Sequence, residues 1–162
     1  MPEKAQFGPD RLEVAADRIA LAAILDARGR HREAELALRD VLPVLESVLG
    51  RDHYEVAAAV DKLAAVVQRR GDHAQAVALY ERSLVIKRRI LGADHADVAE
   101  TLCDLGTALL AAGRPDDAQV VLRGALPVLE RLAHSRLAKC RIDLERVRRR
   151  QRELWRGTRD RT

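Results

Sequence analysis

The amino-acid sequence predicts an all-α fold: three copies of a helical hairpin and one further helix, seven helices in all. Three observations carry that prediction. Punctuating residues recur at a fixed interval, with Gly29, Gly71 and Gly113 spaced by 42 residues, and Asp10, Asp52 and Asp94 likewise. Apolar residues between them keep a helical spacing and stay in register from copy to copy. Composition argues against strands: 48% of the 162 residues are hydrophobic, yet aromatics make up only 2%. Burial falls to Ala, Leu and Val, which suit close-packed helices.

Each period reads as cap, helix, turn, helix, stop. Asp10, Asp52 and Asp94 are followed three positions later by Glu13, Glu55 and Asp97. That is capping-box spacing for the first helix of each pair. The first helices offer Leu21, Ala22 and Leu25, then Leu63, Ala64 and Val67, then Leu105, Gly106 and Leu109. Each turn glycine lies five residues before Ala34, Ala76 or Ala118 in the second helix. Those helices present Ala34, Leu38 and Val41, then Ala76, Tyr80 and Ser83, then Ala118, Leu122 and Ala125. The spacing i, i+4, i+7 is one helical face. Leu49-Gly50 and Leu91-Gly92 end second helices, where glycine can turn left-handed. Pro115 suits a first helical turn, whereas Pro43 and Pro127 fall inside second helices and should bend them. One hairpin cannot cover both its faces; a stack of them can.

The segments Leu49-Gly50-Arg51-Asp52-His53 and Leu91-Gly92-Ala93-Asp94-His95, with the Gly-x-x-x-x-Ala turns, resemble the tetratricopeptide repeat family. The form resembled is the 42-residue one typified by kinesin light chains. The resemblance covers about residues 10–134 and implies a right-handed superhelical stack of repeats 10–51, 52–93 and 94–134. It also implies a concave groove, built from the first helices, that binds a protein or peptide. Carried over by position, the groove comprises Ile19, Ala23 and Asp26; Asp61, Ala65, Gln68 and Arg69; and Glu100, Cys103, Thr107 and Leu110. Where such repeats commonly place asparagine, this chain has Ile19-Ala20, Asp61-Lys62 and Cys103-Asp104, and the Lys/Asn clamp for a carboxylate is missing. The groove reads as apolar in repeat 1 and mildly acidic in repeats 2 and 3. An amphipathic helix carrying basic residues would suit it. The expected function is that of a non-catalytic adaptor, monomeric or homodimeric.

After residue 134 the repeat motif is lost. Residues 135–156 still read as a helix, with Ser135 as N-cap and a stripe of Leu137, Cys140, Leu144, Val147 and Leu154. Arg148 falls where a repeat would need a small residue, so the segment is expected to cap the stack. Residues 1–9 and 157–162 are expected to be flexible. Charge is divided, at −3 for residues 1–135 and +7 for 136–162. A basic patch of Arg146, Arg148, Arg149, Arg150 and Arg152 gives an alternative function, a nucleic-acid-associated regulator acting through this helix.

The five histidines and two cysteines form no metal-ligand spacing, and no phosphate loop or catalytic arrangement is evident. No cofactor, metal or catalytic residue is therefore assigned. Cys103 and Cys140 read as reduced thiols of a cytoplasmic protein, with a disulfide between them as the alternative. The first residues, Met1-Pro2-Glu3-Lys4, lack a secretion pattern, and no apolar run approaches the ~20 residues of a membrane span.

Overall fold

A computed structural model of the protein describes residues 8–159, with side chains for 11–157. Among the described residues there are seven helices and no strand. They are α1 (Gly8–Ala27), α2 (His31–Leu49), α3 (Tyr54–Arg69), α4 (His73–Leu91), α5 (Ala96–Ala111), α6 (Pro115–Arg131) and α7 (Leu137–Arg159). Two compact units divide the chain, one ending at Ile86 and one beginning at Lys87. Helices α1 to α3 and most of α4 make the first; the end of α4 with α5 to α7 makes the second. Two expected boundaries move. Gly8 and Pro9 already belong to α1, and α7 continues to Arg159 instead of ending at 156. Residues 1–7 and 160–162, expected to be flexible, lie outside the described residues.

The hairpin turns follow one local rule. At the end of α1, the Arg30 N–H donates to the Leu25 carbonyl at 2.9 Å and that of Gly29 to Asp26 at 3.0 Å. Gly29 takes φ +75° to allow it. This paired arrangement satisfies carbonyls that the helix end would otherwise leave open. It recurs at Gly71 and Gly113, and then a fourth time at the end of α6. There the left-handed position is filled by Ala133, at φ +45°. A Cβ in that conformation costs roughly 1–2 kcal/mol. Glycine would remove this strain but return some freedom to the unfolded chain, worth about 0.4–1 kcal/mol. Ala133→Gly is therefore expected to stabilise the protein by up to about 1 kcal/mol. A thermal melt with a midpoint at or below that of the parent would refute this.

The helix starts differ from expectation. Asp52 and Asp94 are not the N-caps; His53 and His95 are. The Nδ1 of His53 accepts the Glu55 N–H at 3.2 Å, and that of His95 accepts the Asp97 N–H at 3.2 Å. The reason is local. His53 N–H closes a turn onto the Gly50 carbonyl, which places Asp52 inside the turn, one residue short of the cap. The same device opens α7, where His134 Nδ1 accepts the Arg136 N–H at 3.2 Å in place of the expected Ser135. An accepting Nδ1 requires the tautomer with its proton on Nε2. At the start of α4, Asp72 caps through its carboxylate, which accepts the Gln75 N–H at 3.1 Å. The side chain of Asp10 lies outside the described residues.

Small residues set how closely the helices pack. Ala34, Ala76 and Ala118 are all fully buried. Within the third hairpin, a Cβ on Gly106 would stand 2.5 Å from Leu122 Cγ, so α5 and α6 meet where one side chain is missing altogether. Leu63 and Leu105 are buried as expected, but their counterpart Leu21 is half exposed. Both Pro43 and Pro127 sit inside unbroken helices.

The last helix breaks the period. In the first unit, Asp26 of α1 reaches Arg69 of α3 across 43 residues. In the second, Thr107 of α5 reaches Asp143 of α7 across 36, and Asp104 reaches Arg136 across 32. Helix α7 thus lies about a heptad, or two turns, out of the 42-residue register. The comparison of Arg148 with the small residues of the earlier helices does not apply. Arg148 points to solvent and pairs with Glu145 at 2.5 Å. Of the expected apolar stripe, Cys140, Leu144 and Val147 are buried, Leu137 is half-buried and Leu154 is exposed.

Candidate partner-binding site

In the first unit α1 and α3 stand apart around a cleft of about 220 Å³. Five of the positions assigned to a groove meet there: Ile19, Ala23 and Asp26 from α1, and Ala65 and Arg69 from α3. Leu38 of α2 contributes to its lining, and Lys62 adds a second cation. Asp61 and Gln68 are half-buried on α3 and do not line it. Lys62 and Leu38 were absent from the sequence assignment. Lys62 stands where such repeats commonly place asparagine, and Leu38 reads from the sequence as part of the apolar face of its helix.

The charge in this cleft is tied down. Arg69 Nε donates to Asp26 Oδ1 at 3.0 Å, a second guanidinium N–H donates to Oδ2, and His31 Nδ1 lies 2.7 Å from Oδ1. The Arg69 hydrogen bonds hold the Asp26 carboxyl below its ordinary value; partial burial opposes this and His31 adds to it. A carboxyl depressed in the folded state stabilises the fold fully above its unfolded pKa, about 3.9, and loses that contribution as pH falls through the folded value. Arg69 is half exposed, so the pair is worth about 1 kcal/mol or less. Asp26→Asn should lower stability at neutral pH by that order. The gap between variant and parent should close as the pH drops below about 4. Urea titrations at both pH values check this, and a gap unchanged with pH would refute it.

The third repeat does not present an open groove. Glu100 pairs with His134 at 2.9 Å, and Asp104 pairs with Arg136 at 2.7 Å. The Thr107 hydroxyl lies 2.8 Å from Asp143 and 3.0 Å from the Cys103 carbonyl, and it accepts from Lys139. Leu110 is half-buried. Cys103 is fully buried and cannot meet a partner, which corrects its assignment to the groove. Contact with Cys140 and then burial push its thiol well above the ordinary value. The cause is α7, which closes onto α5 where the first unit keeps a cleft.

Sequence reasoning also missed Asp143, which is fully buried between α5 and α7. It accepts from Thr107, from Lys139 at 3.2 Å and from Arg146 at 3.0 Å. Only the Lys139 and Arg146 spacings, i−4 and i+3 on one helix, could have hinted at it. Of the expected basic patch, Arg146, Arg148 and Arg150 each pair with a carboxylate of their own helix. Arg149 and Arg152 are exposed, with no ion-pair partner among the described residues. No helix among the described residues is long and apolar enough to cross a membrane.

Comparison with known proteins accords with this architecture. Two models of the tetratricopeptide repeat match, one over residues 18–55 and one over residues 54–131. The structure is similar to BtubC (BKLC) from P. vanneervenii, with a TM-score of 0.78 at 23% identity over 85% of this chain. The chain spans 56% of that protein's length. It is similar also to a Podosopora anserina protein described as a kinesin light chain with nearly identical TPR-like repeats. A single-substitution variant of that protein gives a TM-score of 0.78 at 20% identity, covering 87% of this chain and 68% of that one. A second structure gives 0.77 at 19% identity, covering 96% and 72%. Among curated proteins no match was found. Repeats of this kind typically serve as scaffolds for contacts between proteins. With its 42-residue period, glycine turns and paired helices, the chain belongs to the tetratricopeptide repeat family.

Proposed function

We propose that this protein is a cytoplasmic, non-catalytic adaptor that binds a segment of another protein in the cleft between α1 and α3. One observation supports the reading above others: five independently assigned groove positions line a single accessible cleft. Ile19, Ala23 and Ala65 give it an apolar wall, so it selects first for an apolar side chain. Asp26 is already held by Arg69. A basic residue on an amphipathic partner helix would therefore compete with Arg69, and the apolar contact supplies most of the affinity. Helix α7 serves as the cap of the second unit, with arginines over much of its exposed surface.

The test is capture of partners from the source organism's lysate with the parent chain and with Ala23→Glu and Ala65→Glu. Ala23 is exposed and Ala65 half-buried, so the fold should tolerate both, which circular dichroism checks. A partner that binds the parent and is lost with either variant supports the reading. Partners retained by both variants would remove the cleft from the function.

A further inference from the structure

We propose a second interaction surface, independent of the cleft: the groove between α6 and α7 is a docking site for an acidic amphipathic helix of a partner protein. The groove has a volume of about 490 Å³. Its floor is apolar, formed by Leu126, Ile142 and Leu144. Ile142 is 54% exposed there, a large apolar side chain left in contact with water. Four arginines stand around that floor, Arg141, Arg146, Arg148 and Arg149, against the single carboxylate of Glu145. An apolar strip rimmed by cations is the complement of a helix with one apolar stripe and carboxylates beside it.

The shape points to a helix in particular. Helices α6 and α7 are joined by a short turn and packed side by side, and a third helix fits the groove between two such neighbours. Helix α7 is itself held in this manner, packed on both α5 and α6. The arginine rim calls for an occupant that brings carboxylates. Arg149 has none among the described residues, while Arg141 and Arg148 hold theirs, Glu130 and Glu145, at exposed positions from which a partner can displace them. Nucleic acid fits less well. It would leave Leu126 and Ile142 facing phosphates, and no aromatic ring lines the groove for a base to stack on.

The experiment uses the full chain and a fluorescent helical peptide of roughly five turns, with Leu at i, i+3, i+4 and i+7 flanked by Glu. Anisotropy should report saturable binding that falls about tenfold or more in Ile142→Asp and in Arg149→Glu. Ala23→Glu, in the cleft, should leave it unchanged. A peptide with Lys in place of Glu should not bind. Failure of the acidic peptide to bind overturns the proposal, as does binding that ignores Ile142→Asp. So does preferential binding of a single-stranded or duplex oligonucleotide that Arg149→Glu abolishes. Self-association of the chain in sedimentation, lost in Ile142→Asp, would identify the occupant as a second copy and overturn it too. Both variants alter exposed residues, and circular dichroism confirms that they remain folded.

Discussion

Ala76→Arg is expected to unfold much of the protein at room temperature. Ala76 is fully buried, as are its counterparts Ala34 and Ala118, so close packing leaves room there for one methyl group. Arginine there must displace packed neighbours, at about 1–3 kcal/mol for overpacking. It must also carry a charge into an apolar contact or distort the backbone to avoid doing so, which adds several kcal/mol. The sum approaches the ~5–15 kcal/mol that holds a typical domain. Ala76→Ser is the control, since a hydroxyl can bond back to its own helix and should cost about 1 kcal/mol. Circular dichroism and urea unfolding of the two variants check the contrast. An arginine variant as stable as the parent would show that the helix register is wrong.

Removing residues 135–162 should have an effect of similar size, expressed as aggregation. Helix α7 packs over Leu122 and Cys103, both fully buried, and its loss bares the apolar faces of α5 and α6 together. Leu132, at the end of α6, is already 48% exposed and should contribute nothing. The polar side of the contact matters as well. Asp143 leaves with the helix, and Thr107 keeps only the Cys103 carbonyl of its own helix. Glu100 loses nothing in this experiment, because His134 remains in the truncated chain. The measurement is the soluble, monomeric fraction by size-exclusion chromatography, which should fall steeply. A truncated chain that stays monomeric and melts with the parent would make α7 a dispensable appendage.

The repeats were legible because turns and core positions answer to local chemistry. Gly29, Gly71 and Gly113 announce their turns through the one backbone conformation that glycine alone adopts freely. Ala34 and its counterparts announce a contact distance. Pairs of residues competing for one role were harder to read. Asp52 and His53 can both cap a helix, and only the turn closing on Gly50 decides between them. The cleft was half legible: its α1 and α3 positions came from the repeat register, and that register holds in the first unit. It fails at α7, where a loop that lost the Leu-Gly motif shifts a helix by two turns. That shift buried Cys103 and Asp143, and no periodic reading of the sequence could have shown it.

The spans of the contacts between helices carry a consequence for how the chain finds its structure. Asp26 to Arg69 spans 43 residues, and the side-chain bonds that tie α7 to α5 span 32 to 36. Within each unit, helices therefore meet partners about one period away or nearer. Loop-closure entropy grows only with the logarithm of that distance, and contacts this local favour rapid folding. A segment beginning to fold searches only a short stretch of chain. The time needed to fold is then set by the closing of one such stretch.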